Sequence, residues 1–271
     1  MSDTGSFASR LCDWQREHGR HGLPWQKTRD PYRVWLSEVM LQQTQVQTVI
    51  DYYQRFLEDF PDLQSLAAAP IESVMQRWSG LGYYSRARNL HRCAQIVVGQ
   101  HGGRFPGSAD ELAKLPGIGR STAAAIAAFC FGEPAAILDG NVKRVFCRHF
   151  GVEGHPAERR VEQQLWTIAQ RELPAAALDT YTQGLMDLGA MLCTRRRPRC
   201  GDCPVQLSCF AYANDCQERL PTPRPAKASP LRERALLLIV RDGSVLLERR
   251  PPLCIWGGLL SLPEAEPGSP Q

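Results

Sequence analysis

The stretch Leu112-Ala-Lys-Leu-Pro-Gly-Ile-Gly-Arg-Ser-Thr-Ala-Ala-Ala-Ile126 decides the fold of this chain. It reads as a helix, a tight hairpin and a second helix, with Pro116, Gly117 and Gly119 in the turn. Glycines let a phosphate approach the backbone, and a helix N-terminus offers free N–H groups and a positive dipole end to an anion. The stretch therefore predicts a phosphate-binding hairpin, although taken alone it also fits an ordinary turn between two helices.

The segment beyond the hairpin carries a carboxylate. Ile137-Leu-Asp-Gly-Asn-Val-Lys-Arg144 follows the Ala-rich helix. This order predicts that Asp139 lies on a loop just past the hairpin, where the sugar of a bound strand could reach it. Because an Asp-Gly pair alone is typical of a turn, only its combination with the hairpin indicates a functional role.

Four cysteines form the most specific motif of the sequence, Cys193-x6-Cys200-x2-Cys203-x5-Cys209. Thiolates are soft ligands, so an all-cysteine site of four indicates zinc or an iron–sulfur cluster. Structural zinc sites usually have two close cysteine pairs, whereas this loop has one. The wide-narrow-wide spacing favours a [4Fe–4S] cluster, with zinc as the alternative.

Composition excludes several classes of protein. The chain has 271 residues, 43% of them hydrophobic and 22% charged, with 32 Lys+Arg against 28 Asp+Glu. These values suit one or two folded domains rather than a disordered polyelectrolyte. The longest strictly apolar run, residues 123–131, is far shorter than the roughly 20 residues of a membrane span. The polar N-terminus lacks the apolar stretch of a signal peptide, which predicts a protein that is not secreted.

The composition and the hydrophobic pattern of the sequence change after Cys209. The first 210 residues show helical spacing of apolar side chains, whereas residues 218–232 contain four prolines and predict a linker. Residues 235–240 and 245–247 flank a turn at residues 241–244, which predicts a hairpin. Some forty residues of strand and turn are too few for a stable core. We therefore expect the truncated start of a β-rich domain; a short hairpin docked on the helical domain is the alternative.

The hairpin, Asp139 and the cysteine spacing together resemble the helix–hairpin–helix DNA glycosylase superfamily and its iron–sulfur branch, which includes endonuclease III and the adenine glycosylases. The resemblance implies that Asp139 is catalytic. In the bifunctional members a lysine opens the second hairpin helix and forms a Schiff base. Ser121 occupies that position here, so the chain has no amine nucleophile there.

The N-terminal motifs are similar to those of adenine DNA glycosylases of the MutY type. They are Pro24-Trp25, the stretch from Trp35 to Val46, the stretch from Gly80 to Leu90, and the stretch from Gln183 to Cys193. Adenine leaves readily only when it is protonated, which requires a carboxylic acid kept neutral by a partly apolar site. The resemblance assigns that role to Glu38 and assigns stabilisation of the sugar cation to Asp139. Without the resemblance, Glu38 would be interpreted as a solvent-exposed charge on the surface of a helix.

The resemblance also implies residues that contact DNA. A base must leave the duplex to reach such a pocket, and Gln42 and Tyr83 match the family's wedging residues. Trp35 and Gln183 match positions near the adenine pocket, and Asn141 and Lys143 match groups that position the sugar. Each of these side chains, taken alone, is equally typical of a helix surface or a core.

The sequence thus predicts a mainly α, two-lobed helix–hairpin–helix DNA glycosylase with one [4Fe–4S] cluster, followed by a linker and the start of a Nudix-like domain. The expected boundaries are residues 1–217, with the cluster loop at 193–209, then 218–232 and 233–271. We expect a monomer that binds double-stranded DNA containing A:8-oxoguanine or A:G mispairs, in the bacterial cytoplasm near the nucleoid or in a nucleus, with no membrane partner. The alternatives are an endonuclease III-like glycosylase/lyase and a non-catalytic DNA-binding module.

Overall fold

The computed structural model describes residues 5–224, 231, 233–251 and 257–265, and most of them are helical. Part of the predicted linker (225–230 and 232), the Trp256 position and residues 266–271 lie outside the described residues. The helices are α1 (Phe7–His18), α2 (Pro31–Leu41), α3 (Val46–Asp59), α4 (Leu63–Ala68), α5 (Ile71–Trp78), α6 (Ser85–Gln100), α7 (Ala109–Leu112), α8 (Arg120–Ile126), α9 (Gly140–Phe150), α10 (Arg159–Arg171), α11 (Leu178–Asp187) and α12 (Phe210–Ala213). The mainly α prediction is confirmed.

Local sequence explains where the two helices of the site begin. Asp30 caps α2 by accepting a hydrogen bond from the Tyr32 N–H at 3.0 Å, and Pro31 takes the first helical position. Asp139 caps α9 in the same way, since its Oδ1 accepts from the Val142 N–H at 2.8 Å. The carboxylate predicted from the sequence is therefore also a helix cap.

Two separate hydrophobic cores divide the helical part into two lobes. The first core is built from α2 to α8, with Trp35, Phe56 and Trp78 fully buried at its centre. The second core joins α1 from the N-terminus to α9, α10 and α11. The second lobe contains α1 and then α9 to α11. In the sequence, the first lobe is therefore an insertion between α1 and α9. The predicted two-lobed architecture is confirmed.

Helix α8 connects the lobes. Ala123 and Ile126 belong to the first core, whereas Ala124 and Ala125 belong to the second. Small alanine side chains let both lobes approach one helix closely. A π-helical turn, Ala127–Phe131, continues α8 along the junction. A site formed between α2 and α9 therefore lies against this alanine-rich helix.

The C-terminal segment forms short antiparallel pairs: β1 (Ala235–Leu236) with β6 (Glu264–Ala265), β2 (Val240–Arg241) with β3 (Ser244–Val245), and β4 (Glu248–Arg249) with β5 (Leu260–Ser261). The predicted turn is confirmed between β2 and β3, but 235–240 is not one continuous strand because β1 pairs with β6. The segment contacts the first lobe, where an Arg88 guanidinium N–H donates to the Gly257 carbonyl at 2.6 Å. Its short strands are consistent with the start of a Nudix-like domain.

The first residues of the predicted linker pack on the second lobe. Leu220 is buried beside Cys216, and the Gly154 N–H donates to the Thr222 hydroxyl at 3.0 Å. Arg148 donates to the Gln217 and Leu220 carbonyls. The packed part of the chain therefore reaches residue 222, past the expected boundary at 217, because a buried arginine holds the backbone there. Across the described ranges, no helix combines the length and apolarity that a membrane crossing requires.

Candidate active site at the junction of the two lobes

A cavity of about 270 Å³ opens between the lobes. One wall is a face of α2, whose lining residues Val34, Ser37, Glu38 and Leu41 follow helical spacing. The opposite wall is α11, with Gln183 and Met186, and the π-helical turn adds Phe129. Residues 20–29 cover the third side. The lining combines apolar side chains such as Trp25 and Phe129 with many polar and charged ones, which suits a small planar ligand that also forms hydrogen bonds.

Glu38 is the acidic residue that α2 contributes to the cavity wall. Burial, which is the larger cause, and the negative charge of Asp139 together raise the pKa of its carboxyl to about 8. At neutral pH the group is therefore mostly protonated and can donate a proton. Glu38 thus lies where burial favours its protonated form.

Asp139 comes from the other lobe, at the N-terminus of α9. Burial raises the pKa of its carboxyl, whereas hydrogen bonds from the Val142 and Asn141 N–H groups and the charges of Arg144 and Lys143 lower it. The structure thus brings the two predicted carboxyl groups close enough to influence each other, from helices in different lobes.

Gln183 is held in place by a residue that the sequence analysis did not single out. Its amide Nε2 donates to Asp187 Oδ1 at 2.8 Å, which leaves its carbonyl oxygen available to a ligand. Asp187 is completely buried and also accepts from the Arg20 N–H at 2.8 Å and from Arg20 Nε at 2.6 Å. This network joins the 20–29 segment to α11. Because the two are far apart in the chain, the network is visible only in the folded structure.

Trp35 does not line the cavity, which corrects the expectation that it lies near the adenine pocket. Its side chain is completely buried in the first lobe, 5.1 Å from the Phe105 ring between centroids. Trp25 lines the cavity instead. The physical reason is helical geometry, since Trp35 is about 100° around α2 from the Val34 face and points into the core.

The helix–hairpin–helix prediction is confirmed between α7 and α8. Leu115 and Ile118 anchor the turn in the first core, while Gly117 and Gly119 are exposed and Pro116 is half-buried. Gly117 has φ +77°, and a Cβ there would lie 2.8 Å from the Asn89 Cβ on α6. Only glycine suits that position, because the conformation and the space both exclude a side chain.

Ser121 connects the hairpin to the loop that precedes Asp139. Its hydroxyl accepts a hydrogen bond from the Leu138 N–H at 2.9 Å, one residue before Asp139. The position that carries a lysine in bifunctional relatives therefore lies beside the predicted sugar-side carboxylate. In this chain it holds a hydroxyl that fixes the loop.

Asn141 and Lys143 on the first turn of α9 make internal contacts. Asn141 Oδ1 accepts from an Arg144 guanidinium N–H at 2.8 Å, and Arg144 also donates to the Cys193 carbonyl at 2.7 Å. Lys143 Nζ donates to Glu162 Oε1 at 2.6 Å on α10. Arg144, not named from the sequence, thus joins the start of α9 to the first cysteine.

Two exposed turns flank the cavity. Gln42 ends α2 and its amide lies 3.5 Å from the Thr122 hydroxyl, whereas the next residue, Gln43, is exposed with φ +60°. Tyr83 is 60% exposed, with φ +47°. The tips of the turns are therefore Gln43 and Tyr83. Sequence reasoning chose Gln42, because the two adjacent glutamines differ only in the backbone conformation of the turn.

The four predicted ligands Cys193, Cys200, Cys203 and Cys209 line one small cavity. Cys193 directly follows the π-helical turn Leu188–Leu192, which continues α11. It begins the loop that carries the other three cysteines. Among the residues that the structure describes, no group of three or more histidine, cysteine or acidic side chains is arranged to hold a single metal ion. The four cysteines that the spacing predicts as ligands come together at this cavity in the fold.

Comparisons with known proteins agree with this geometry. Residues 36–171 match the model of the HhH-GPD superfamily base excision DNA repair proteins. The adenine DNA glycosylase of Buchnera aphidicola subsp. Baizongia pistaciae is 38% identical over 259 residues, which cover 95% of this chain and 73% of that protein. The adenine DNA glycosylase of Mus musculus is 46% identical over 221 residues, 78% of this chain and 43% of the mouse protein.

Solved structures show the same fold. A thermostable thymine-DNA glycosylase matches with a TM-score of 0.70 at 30% identity, covering 77% of this chain and 95% of that one. An endonuclease III solved in a non-covalent complex with DNA matches with a TM-score of 0.65 at 23% identity, covering 77% of this chain and 94% of its own. The family match spans α2 to α10, which include both carboxyl groups and the hairpin. The chain belongs to the adenine DNA glycosylases, within the HhH-GPD superfamily of base excision DNA repair proteins.

Proposed function

We propose that this chain is a monofunctional DNA glycosylase that hydrolyses the N-glycosidic bond of adenine mispaired with 8-oxoguanine or guanine. The observation that carries the proposal is the pairing of Glu38 and Asp139 across the junction, with the pKa of Glu38 raised to about 8. A neutral acid beside a carboxylate is what acid-assisted departure of a base requires.

In the proposed reaction, Glu38 donates its proton to N7 of adenine in the cavity. The bond between C1′ and the base nitrogen then breaks, and its electron pair leaves with the neutral base. The carboxylate of Asp139 stabilises the positive charge left on the sugar, as carboxylates do in glycoside hydrolysis. A water adds to C1′ and gives up a proton, which completes hydrolysis without strand cleavage.

Gln183 suits the recognition of adenine within the same cavity. Its amide N–H₂ is directed to Asp187, so its carbonyl oxygen can accept a hydrogen bond from the exocyclic amine of the base. Thymine or guanine, which carries a carbonyl in place of the exocyclic amine, would place an acceptor against an acceptor. Trp25 and Phe129, which also line the cavity, provide apolar surface for a flat ring.

DNA binding in the proposal relies on the hairpin and on the two turns. The exposed N–H groups around Gly117 and Gly119 would bind a phosphate, with the N-terminus of α8 behind them. Gln43 and Tyr83 would enter the duplex from which the adenine leaves, as base flipping requires. Gln42 then has a supporting role, because its side chain faces Thr122.

A [4Fe–4S] cluster held by Cys193, Cys200, Cys203 and Cys209 is part of the proposal. The spacing of the four cysteines, with one close pair rather than the two of structural zinc sites, favours the cluster over a zinc ion, and the four side chains line one cavity. Its contribution would be architectural, fixing the loop from residue 193 to residue 209. Arg144 connects the first cysteine of that loop to α9, and so to Asp139.

The proposal also covers the oligomeric state, the cellular location and the domain boundaries. The enzyme would work as a monomer on chromosomal DNA, in the bacterial cytoplasm near the nucleoid or in a nucleus. The segment up to residue 232 would separate the glycosylase from the start of the Nudix-like domain, with the residues from 218 to 222 packed on the glycosylase.

The test is a strand-cleavage assay on labelled duplexes that contain A:8-oxoguanine, A:G or T:G, with and without hot alkali. Release of adenine with breakage only after alkali supports the proposal. Breakage without alkali would indicate the glycosylase/lyase, and binding without any release would indicate a DNA-binding module. Release of thymine in place of adenine would reassign the substrate to that of the thymine-DNA glycosylase of similar fold.

A further inference from the structure

A buried arginine, Arg86 on α6, lies where the two exposed turns meet. It is 8% exposed, and within the described ranges it forms no ion pair with a carboxylate. A buried charge without a counter-charge is costly unless its donors are satisfied. The question is therefore what this guanidinium binds.

Arg86 donates to both turns at once. One terminal nitrogen donates to the carbonyls of Val39 at 2.9 Å and Met40 at 2.8 Å, at the C-terminal end of α2. The other donates to the Thr44 hydroxyl at 3.1 Å and to the carbonyls of Leu81 at 3.1 Å and Gly82 at 3.3 Å. The last carbonyls of a helix are unsatisfied and carry its negative dipole end. The carbonyls of Val39 and Met40 therefore act as acceptors for the guanidinium in place of a carboxylate.

Each turn has a non-glycine residue in the left-handed region at its tip. Gln43 has φ +60° and Tyr83 has φ +47°, and both side chains are exposed. Such conformations cost free energy and persist only where neighbouring structure holds them. Thr44 and Gly82, which Arg86 binds, are the chain neighbours of these residues, and its guanidinium also lies 5.7 Å from the centre of the Tyr83 ring.

We propose that Arg86 is a positioning residue that joins the Gln43 and Tyr83 turns into one rigid wedge and fixes that wedge to the helix carrying Glu38. This inference rests on the proposed function, because a wedge matters only to an enzyme that flips a base. Since α2 carries the acid and ends in the first turn, insertion of the wedge and delivery of the base to Glu38 are mechanically linked. The planar fork of arginine has two terminal nitrogens, one on the α2 carbonyls and one on acceptors of both turns, whereas a lysine has one nitrogen and cannot hold all five acceptors.

The test compares two duplexes of the same sequence in single-turnover assays. In one, adenine is opposite guanine; in the other, it is opposite a stable abasic analogue, so that no partner base has to be displaced. For Arg86→Lys, which keeps the charge but loses the fork, we expect a rate at least about tenfold lower on the A:G duplex and less than about threefold lower on the abasic one. Tyr83→Ala should give the same pattern, whereas Arg92→Lys, exposed on the same helix, should leave both rates unchanged.

A purely structural role for Arg86 would lower both rates equally, and that result would overturn the proposal, as would an unchanged rate on A:G. Thermal unfolding of each variant checks its folding. If Arg86→Lys does not fold, Thr44→Val removes a single acceptor of the same guanidinium and should give the same selective loss at smaller size. Failure of the proposed function is a separate result, since the unmodified chain would then release adenine from neither duplex.

Discussion

At the scale of single residues, the site depends on two carboxyl groups in unlike surroundings. Glu38 lines the cavity between the lobes, where burial and the charge of Asp139 raise the pKa of its carboxyl to about 8. Asp139 caps α9, where N–H groups and the charges of Arg144 and Lys143 oppose the upward effect of burial on its pKa. Groups whose environments differ in this way take different protonation states at one pH. The pair is therefore suited to one acid and one carboxylate near neutrality.

The dependence of excision on pH follows from these two groups. Protonated Glu38 is the active form, so the single-turnover rate should be level below about pH 8 and fall about tenfold per pH unit above it. On the acid side the rate should fall as Asp139 takes up a proton, at a pH above that of an exposed aspartate because burial raises its pKa. Rates from about pH 5 to pH 10 test this profile. A rate still rising through pH 9 or so would contradict the assignment of Glu38 as the acid.

Ser121 offers a gain-of-function test at the same scale. Its hydroxyl binds the N–H of Leu138, next to Asp139, so an amine at this position would face the sugar. Ser121→Lys should therefore form an imine with the opened sugar, which borohydride would trap as a covalent enzyme–DNA adduct. Ser121→Ala has no amine and should trap nothing. Absence of an adduct from the lysine variant, despite adenine release, would show that this position does not face C1′.

At the scale of elements, the hairpin between α7 and α8 depends on a close approach to α6. A Cβ at position 117 would lie 2.8 Å from the Asn89 Cβ, in a backbone conformation with φ +77°. The turn can therefore present its N–H groups to a phosphate only while position 117 has no side chain. The glycine's role follows from geometry, independently of any contact with DNA.

Gly117→Ala should accordingly lower the free energy of unfolding by about 1–2 kcal/mol, the cost of a left-handed alanine. It should also weaken duplex binding, because the hairpin must shift away from α6. Gly99→Ala is the control: it lies on α6 with nothing within 4 Å of the added Cβ, and alanine favours a helix. Chemical denaturation and fluorescence anisotropy measure the two effects. Equal stability and affinity in both variants would contradict the packing account.

At the scale of the whole molecule, the cysteine loop closes the second lobe around α9. Arg144 binds the Cys193 carbonyl near the start of the loop, and Arg148 binds the Thr194 carbonyl at 2.6 Å and the Leu220 carbonyl at 2.8 Å. Both arginines belong to α9, the helix that Asp139 caps. Loss of the loop would therefore disturb the catalytic side of the junction as well as the loop itself.

Cys203→Ser should lose iron, because a serine hydroxyl is a harder and poorer ligand for the proposed cluster. We also expect a lower unfolding temperature and weaker duplex binding, since α9 loses its partners in the loop. Cys93→Ser is the matched control: Cys93 is fully buried in the first lobe, far from the loop along the chain, and its iron content should be unchanged. Iron analysis of anaerobically purified protein decides the point, and zinc in place of iron would contradict the cluster.

Sequence spacing predicted the parts of the molecule that are local. The hairpin, the loop that carries Asp139 just beyond it, and the cysteine loop each lie within a few tens of residues, and their residue types follow from their chemistry. Arg86, Asp187 and the choice of Trp25 over Trp35 were missed, because each depends on contacts between segments far apart in the chain. The two glutamines at 42 and 43 could not be separated either, since only the backbone of the turn decides which one is exposed.

The central claim is that an acid from one lobe and a carboxylate from the other together release adenine. Single-turnover excision from an A:G duplex by Glu38→Gln, with duplex affinity measured in parallel, tests it most directly. The amide keeps the shape of the acid but cannot donate its proton at N7. We predict adenine release at least about a thousandfold slower than in the unmodified chain, with the affinity unchanged. Release at close to the unmodified rate, from a variant that binds the duplex normally, would contradict the account.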